Sequence, residues 1–338
     1  MDAVIRVLQS DDQQSDTKAI DVIKVGYWFE RLLHMMRKNS AYAVGQGIRP
    51  DQYRKTSADG AANNNNLWAK YATGAVCPGP YTVQAADKVV PGSAVDLALA
   101  AWTALNVRAP IIDGYDSLLR RTLPKVQHAL LEPTKLVIGR YVRRASLRKT
   151  LTLLECHSDI NSIAALVILL REAHEAGDHD RCFEIGQSLY ATVLMASYVI
   201  YVGNILPELI EFLIRRVFPL ASSRDRAFDI DRDKFCSVAR RLESTLLMLE
   251  DIGTIDTING GPTREWRKVV KGHFGFDHKF AFAPGWKLAR PPEECSESAP
   301  GMVASRTIAR EWALEVLSSG RVERLIPKHI IEKMAAVR

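Results

Sequence analysis

The sequence predicts a mainly α-helical fold, an N-terminal helical region joined to a larger helical bundle. Three observations carry this. Apolar residues recur at mixed three- and four-residue steps, as in Phe235, Val238, Leu242, Leu246 and Leu249. Helix stops and starts punctuate the runs, as where Gly177 and Asp178 separate two apolar stretches. Hydrophobic residues are 47% and charged residues 25% of 338, the balance of a chain that folds around a core. The expected regions are 1–110, 111–221 and 222–338.

In chain order, Ser15 or Asp16 is placed to cap a helix running to about Lys38. Ile20, Ile23, Tyr27 and Leu32–Leu33 supply its buried side. Residues 39–49 hold Gly45 and Gly47 and read as a loop. Residues 63–93 read as a short helix, a tight turn, a second helix and a Pro91-Gly92 stop. On the first helix Leu67, Trp68 and Tyr71 share one side, while Asn63, Asn66, Lys70 and Thr73 fall on another. Such a helix docks by its aromatic side and offers amides and an ammonium outward. Gly74 suits the left-handed position after a helix end, and Pro80 can open the next helix. Val83, Ala86, Val89 and Val90 give that helix an apolar stripe. Residues 94–105 then form an Ala-rich helix containing Trp102.

The order Leu67, Tyr71, Gly74, Pro78, followed by Val83 and Ala86, resembles the second half of a phage-repressor-type (Cro-like) helix-turn-helix domain. Trp68, Tyr71, Gly74 and Pro78 also fit a Trp-x-x-Tyr-x-x-Gly-x-x-x-Pro signature shared by a set of uncharacterised bacterial proteins. The resemblance implies a helix-turn-helix-like region that contacts duplex DNA. Asn63 and Asn66 are then the residues to pair with adenine, and Lys70 the one to reach guanine or phosphate. Asn64 and Thr73 would support backbone contacts. Ala72 stands where the repressors usually carry Glu, and residues 52–62 are polar and include Gly60.

Beyond residue 110, Gly114, Pro124 and Pro133 cut residues 111–133 into short helices. Residues 135–155 read as one helix, with Leu136, Val142, Leu147, Leu151 and Leu154 inward. Lys135, Arg140, Arg143, Arg144, Arg148 and Lys149 lie on it without an acid between Glu132 and Glu155. Arg140, Arg144 and Arg148 recur every four residues as a stripe. One reading is a face that tracks phosphates, with Arg140, Arg143, Arg144 and Arg148 as its contacts. The other is a solvated face paired with acids elsewhere. Residues 159–176 and 178–203 form a helical hairpin, and 207–218 continue the helical body. Residues 222–233 read as a charged linker, and 231–251 as an amphipathic helix. Residues 252–261 read as a loop, and the aromatic-rich 266–286 as a short hairpin or irregular cap. Residues 289–300 read as mobile, before closing helices over 305–319 and 321–336.

Charge and composition narrow the function classes. The net charge of +6 is mildly basic and compatible with nucleic acid. Five scattered cysteines without a Cys-x-x-Cys pair fit reduced thiols in a cytoplasmic protein. The N-terminus lacks the basic-then-apolar pattern of a signal peptide. Residues 185–207 carry no charge, but Gln187, Ser188, Thr192, Ser197 and Asn204 dilute them, so a buried helix is expected rather than a membrane span.

Phosphate-loop, nucleophile-elbow and zinc-protease motifs are absent from the sequence. His174, Asp178, His179 and Asp180 are metal-ligand types at a hairpin tip, where a polar cap is equally expected. Asp225, Asp229, Asp231 and Asp233 resemble a calcium loop only in charge. Arg267 and His273 have the Arg-x5-His spacing of the helical nucleotidyltransferase-associated nuclease family (HEPN), and Arg121 and His128 a similar spacing. In such a motif Arg binds phosphate and His is the general acid or base.

The expectation is therefore a cytoplasmic, non-enzymatic, DNA-binding regulatory protein. Its helical body would serve for homodimerisation or a protein partner, with no cofactor, no metal and no membrane. A helical protein-interaction scaffold and a HEPN-like ribonuclease are the alternatives.

Overall fold

The computed structural model describes residues 3–8, 12–50, 66–137, 140–256, 262–321 and 323–337, and it is mainly helical. The chain forms two compact units, 1–110 with 199–212, and 111–198 with 213–338.

The first unit begins with α1 (Ala3–Val7) and α2 (Gln13–Met35). Asp12, not Ser15 or Asp16, caps α2, its carboxylate accepting the Ser15 amide at 2.6 Å. Asp16 is instead fully buried beside Arg108, at 3.2 Å. The helix stops short of Lys38 because Arg37 turns to φ +52°, and the Lys38 amide returns to the Leu33 carbonyl.

The expected loop at 39–49 is a helix, α3 (Ala41–Ile48), capped by Ser40. Val44 and Ile48 lie one turn apart and bury in the same core as Trp28. That burial outweighs the poor helix propensity of Gly45 and Gly47. Next come α4 (Leu67–Ala72) and α5 (Pro80–Val89). Trp28 stacks on Trp68 at 6.2 Å, and Tyr71 meets their edges at 5.9 and 5.4 Å. Each such aromatic pair adds roughly 0.5–1.5 kcal/mol beyond its buried area. The Ala-rich stretch splits into α6 (Ser93–Asp96) and α7 (Ala100–Leu105). The Asp96 carbonyl accepts the Trp102 indole N–H at 2.7 Å, and the Asp96 carboxylate pairs with Arg31.

The second unit opens with α8 (Tyr115–Arg120) and α9 (Pro124–Leu130), where Pro124 occupies the first turn. The single basic helix expected over 135–155 does not form. Leu131–Val137 (β1) and Arg140–Arg143 (β2) pair antiparallel, and only Leu147–His157 (α10) is helical. Val137, Tyr141 and Val142 favour strand. The pairing of β2 with β1 also lets Arg144 satisfy the last carbonyls of α9: its amide bonds Leu130 at 2.9 Å and its guanidinium bonds Ala129 and His128 at 3.1 and 3.0 Å.

The expected helical hairpin is present as α11 (Ile160–Glu175) and α12 (His179–Ala196). Gly177 sits at φ +69° between them, and Asp178 accepts the Arg181 amide at 3.1 Å. Both helices are buried on nearly every side, including Leu166, Leu170, Leu189 and Val193. The uncharged run then breaks into α13 (Ile200–Gly203) and α14 (Leu206–Phe212), which pack on α2 in the first unit. Among the described residues no helix is long and apolar enough to cross a membrane.

Back in the second unit, the expected charged linker contains a strand, β3 (Arg226–Asp229). It pairs antiparallel with β4 (Gly285–Leu288), placing Phe228 opposite Trp286. Between them lie α15 (Arg232–Asp251), α16 (Pro262–Val270) and α17 (Phe276–Ala281). The aromatic-rich stretch is thus two helices and one strand of a two-stranded sheet whose partner strand lies far upstream. Residues 289–296, expected to be mobile, are held by Asp225. Its carbonyl accepts the Ala289 amide at 2.9 Å, and its carboxylate accepts Ser296 at 2.7 Å and Arg290 at 3.2 Å. The chain closes with α18 (Ala299–Ser318) and α19 (Lys328–Ala336).

Candidate functional site

Two surfaces carry the residues singled out by the sequence, one in each unit. In the first, α4 stands on the buried rings of Trp68 and Tyr71, while Asn66, Lys70 and Thr73 are exposed. Gly74, at φ +66°, ends the helix. Its amide bonds the Tyr71 carbonyl at 3.0 Å, and the Ala75 amide bonds that of Lys70 at 2.9 Å. Asn66 begins the helix in a left-handed conformation and makes no side-chain capping bond. Lys70 makes no ion pair among the described residues. The Thr73 hydroxyl is turned back to its own helix, donating to the Ala69 and Lys70 carbonyls at 3.3 and 3.1 Å. Asn63 and Asn64, and the polar residues 52–62, lie outside the described residues.

Charge separates the two units. Residues 1–110 and 199–212 hold 12 Lys and Arg against 12 Asp and Glu, so the entire excess of +6 belongs to the second unit. Within it, residues 111–150 hold 9 basic against 3 acidic side chains. Arg120, Arg121, Lys135, Arg148 and Lys149 are exposed there and make no ion pair among the described residues.

The four arginines expected to line one helix face are dispersed by the β1–β2 hairpin. Arg140 lies on β2 opposite Val137. Arg143 bonds Asp116 at 2.6 Å and pairs with Glu172. Arg144, its side chain only 4% exposed, pairs with Glu132 at 3.1 Å while it caps α9. Arg148, in the first turn of α10, faces solvent.

The hairpin brings Arg143 and Arg144 to a cleft of about 320 Å³, together with Leu130, Ala145, Leu147, Thr150, Leu169 and Arg181. A second hollow of about 210 Å³ shares Leu130 and Arg143 and adds Arg120, Gln127 and Tyr141. Sequence reasoning missed Arg181. It stands alone between Asp180 and Cys182, with no pattern to mark it, and it reaches the basic segment only through the α11–α12 hairpin.

The remaining clusters resolve differently. Among the described residues no group of three His, Cys, Asp or Glu is arranged to hold a metal. His174 and His179 line an open hollow with Arg224 and Arg290. Asp231 caps α15, bonding the Lys234 amide at 2.8 Å. Arg267 is committed to the buried Glu155 carboxylate at 2.7 Å, which also takes Lys271 and Ser188 at 2.6 Å each. His273 is exposed in the turn after α16. The Arg267 guanidinium therefore has a structural partner where a ribonuclease would need it on phosphate. The chain matches no protein-family model, no curated protein and no solved structure.

Proposed function

We propose that the protein is a cytoplasmic, non-enzymatic regulatory protein that contacts duplex DNA. The observation that carries this reading is the basic segment 111–150, whose five exposed cations lack an internal partner among the described residues. Unpaired surface cations are the groups that displace condensed counterions from phosphates. The Asn66 and Lys70 edge of α4 is the second contact, since its side chains are exposed and its aromatic side is anchored. Amide and ammonium groups in that setting suit base edges and phosphate.

The test is duplex binding by fluorescence anisotropy across a salt series. Each phosphate contact contributes about 0.9 to the slope of log affinity against log salt. Arg148→Ala with Lys149→Ala is expected to flatten that slope by up to about 1.8, and Lys70→Ala to weaken binding. An unchanged slope and affinity in both variants would remove these residues from the interface.

A helical scaffold, acting as a homodimer or on a protein partner, is the second reading. The charge balance of the first unit, 12 against 12, favours it for that unit. A mass that rises over a concentration series, with no duplex binding by the wild-type protein, would support the scaffold instead.

A further inference from the structure

We propose that the cleft formed by Arg143, Arg144, Thr150 and Arg181 is a binding site for a phosphate monoester. This is separate from the duplex-binding reading and does not depend on it.

Three arginines line the cleft, and no acidic side chain does. Their situations differ. Arg143 is held from one side by Asp116 and Glu172, and Arg144 by Glu132 and two carbonyl oxygens. These acids fix both guanidiniums in place and offset their charge. Arg181 has no such partner: it makes no ion pair among the described residues, and its Nε is buried and donates to no acceptor. A buried cationic donor without an acceptor is unfavourable by itself. It is satisfied when an anion enters the cleft.

The surroundings select the class of anion. Guanidinium forks match the oxygens of phosphate or carboxylate in two-point geometry. Leu147 and Thr150 come from the first turn of α10, and Arg181 from the first turn of α12, so the starts of two helices of 11 and 18 residues contribute to the lining. Helix starts carry partial positive charge and favour anions. Of the acids close in sequence, Asp180 is exposed and makes no ion pair with Arg181 among the described residues, and Asp178 caps its own helix by accepting the Arg181 amide.

Arg148 and Lys149, between two lining residues, add two uncompensated cations to that of Arg181. A phosphate monoester carries close to two negative charges at neutral pH, whereas a diester carries one. The doubly charged group is the better match. Leu130, Leu147 and Leu169 form the apolar part of the wall, which limits water and strengthens the charge interaction. The cleft, at about 320 Å³, is at the small end of ligand sites, suited to one phosphate and part of its substituent.

A free nucleotide and the 5′ end of a nucleic-acid strand both carry this group. Isothermal titration of the full chain with inorganic phosphate, adenosine 5′-monophosphate, adenosine, and a short oligonucleotide with and without its 5′-phosphate distinguishes these sources. Saturable binding of the monophosphate but not of adenosine supports the proposal. A preference for the 5′-phosphorylated over the 5′-hydroxyl strand assigns the strand end as the source, and equal weak binding of both strands assigns the free nucleotide.

Arg181→Met is expected to reduce phosphate affinity at least tenfold, with unchanged far-ultraviolet circular dichroism because no ion pair is lost. Arg181→Lys is expected to restore part of it. Wild-type protein that takes up neither phosphate nor the monophosphate at millimolar concentration overturns the proposal. So does Arg181→Met binding as tightly as wild type. Duplex binding and its salt slope are expected to be the same in Arg181→Met, so a failure here leaves the duplex reading standing.

Discussion

Two glycines of the first unit share a left-handed backbone but not its surroundings, and substituting each by alanine separates backbone strain from packing. Gly74 has φ +66°, and a Cβ there would lie 2.5 Å from the Val22 carbonyl oxygen and 2.8 Å from the Val22 Cα. Gly92 has φ +87° and nothing within 4 Å of the same position. The left-handed backbone alone costs an alanine about 1–2 kcal/mol. At Gly74 the obstacle is backbone of α2, which no rotamer change relieves. Forcing it aside adds about 1–3 kcal/mol, as overpacking does. Gly74→Ala should therefore destabilise by about 2–5 kcal/mol, and Gly92→Ala by about 1–2 kcal/mol. With a urea dependence of about 2 kcal/mol per molar, the Gly74 variant should lose about 1–2.5 M from its midpoint. Urea titration followed by tryptophan fluorescence and circular dichroism measures both. Equal losses in the two variants would refute the reasoning that α4 and its turn are seated directly on α2.

Other outcomes follow from buried charge. Glu155 is 2% exposed and holds Arg267, Lys271 and Ser188, so Glu155→Ala should cost about 3 kcal/mol, at the low end for a broken buried pair because both cations keep access to water; a urea midpoint within error of wild type would contradict this. His278 is 1% exposed with neither ring nitrogen hydrogen-bonded, and burial lowers its pKa below 6.5 despite the Asp277 carboxylate, which acts the other way. The unfolded chain then binds the proton more readily, so this residue's contribution is fully present above about pH 6.5 and is lost as the pH falls toward the depressed folded value. His278→Leu should flatten the decline of stability below pH 6.5, and an unaltered pH profile in the variant would remove His278 as its source.

Local signals were the legible part. Gly74, Gly177 and Asp178 do in the structure what their residue types imply, because a left-handed stop or a side-chain cap is decided within a single turn. The stack of Trp28, Trp68 and Tyr71 was half legible: the shared side of Trp68 and Tyr71 follows from spacing, but Trp28 as their partner does not. The basic segment was misread because arginines at four-residue intervals suit a helix surface as well as a bent hairpin. What decides between them is the end of α9, whose last carbonyls require Arg144. The candidate cleft was legible in Arg143 and Arg144 and illegible in Arg181.

By itself the sequence determined that this chain is helical, where several of its helices begin and end, and that an aromatic-backed polar edge occupies residues 66–73. Those properties depend on neighbours within one or two turns. Tertiary structure alone decided that 226–229 pairs with 285–288, that 199–212 returns to the first unit, and which arginines are neutralised and which are left over. A strand partner or a counter-charge is chosen by proximity after folding, and no local periodicity records which distant residue will be near.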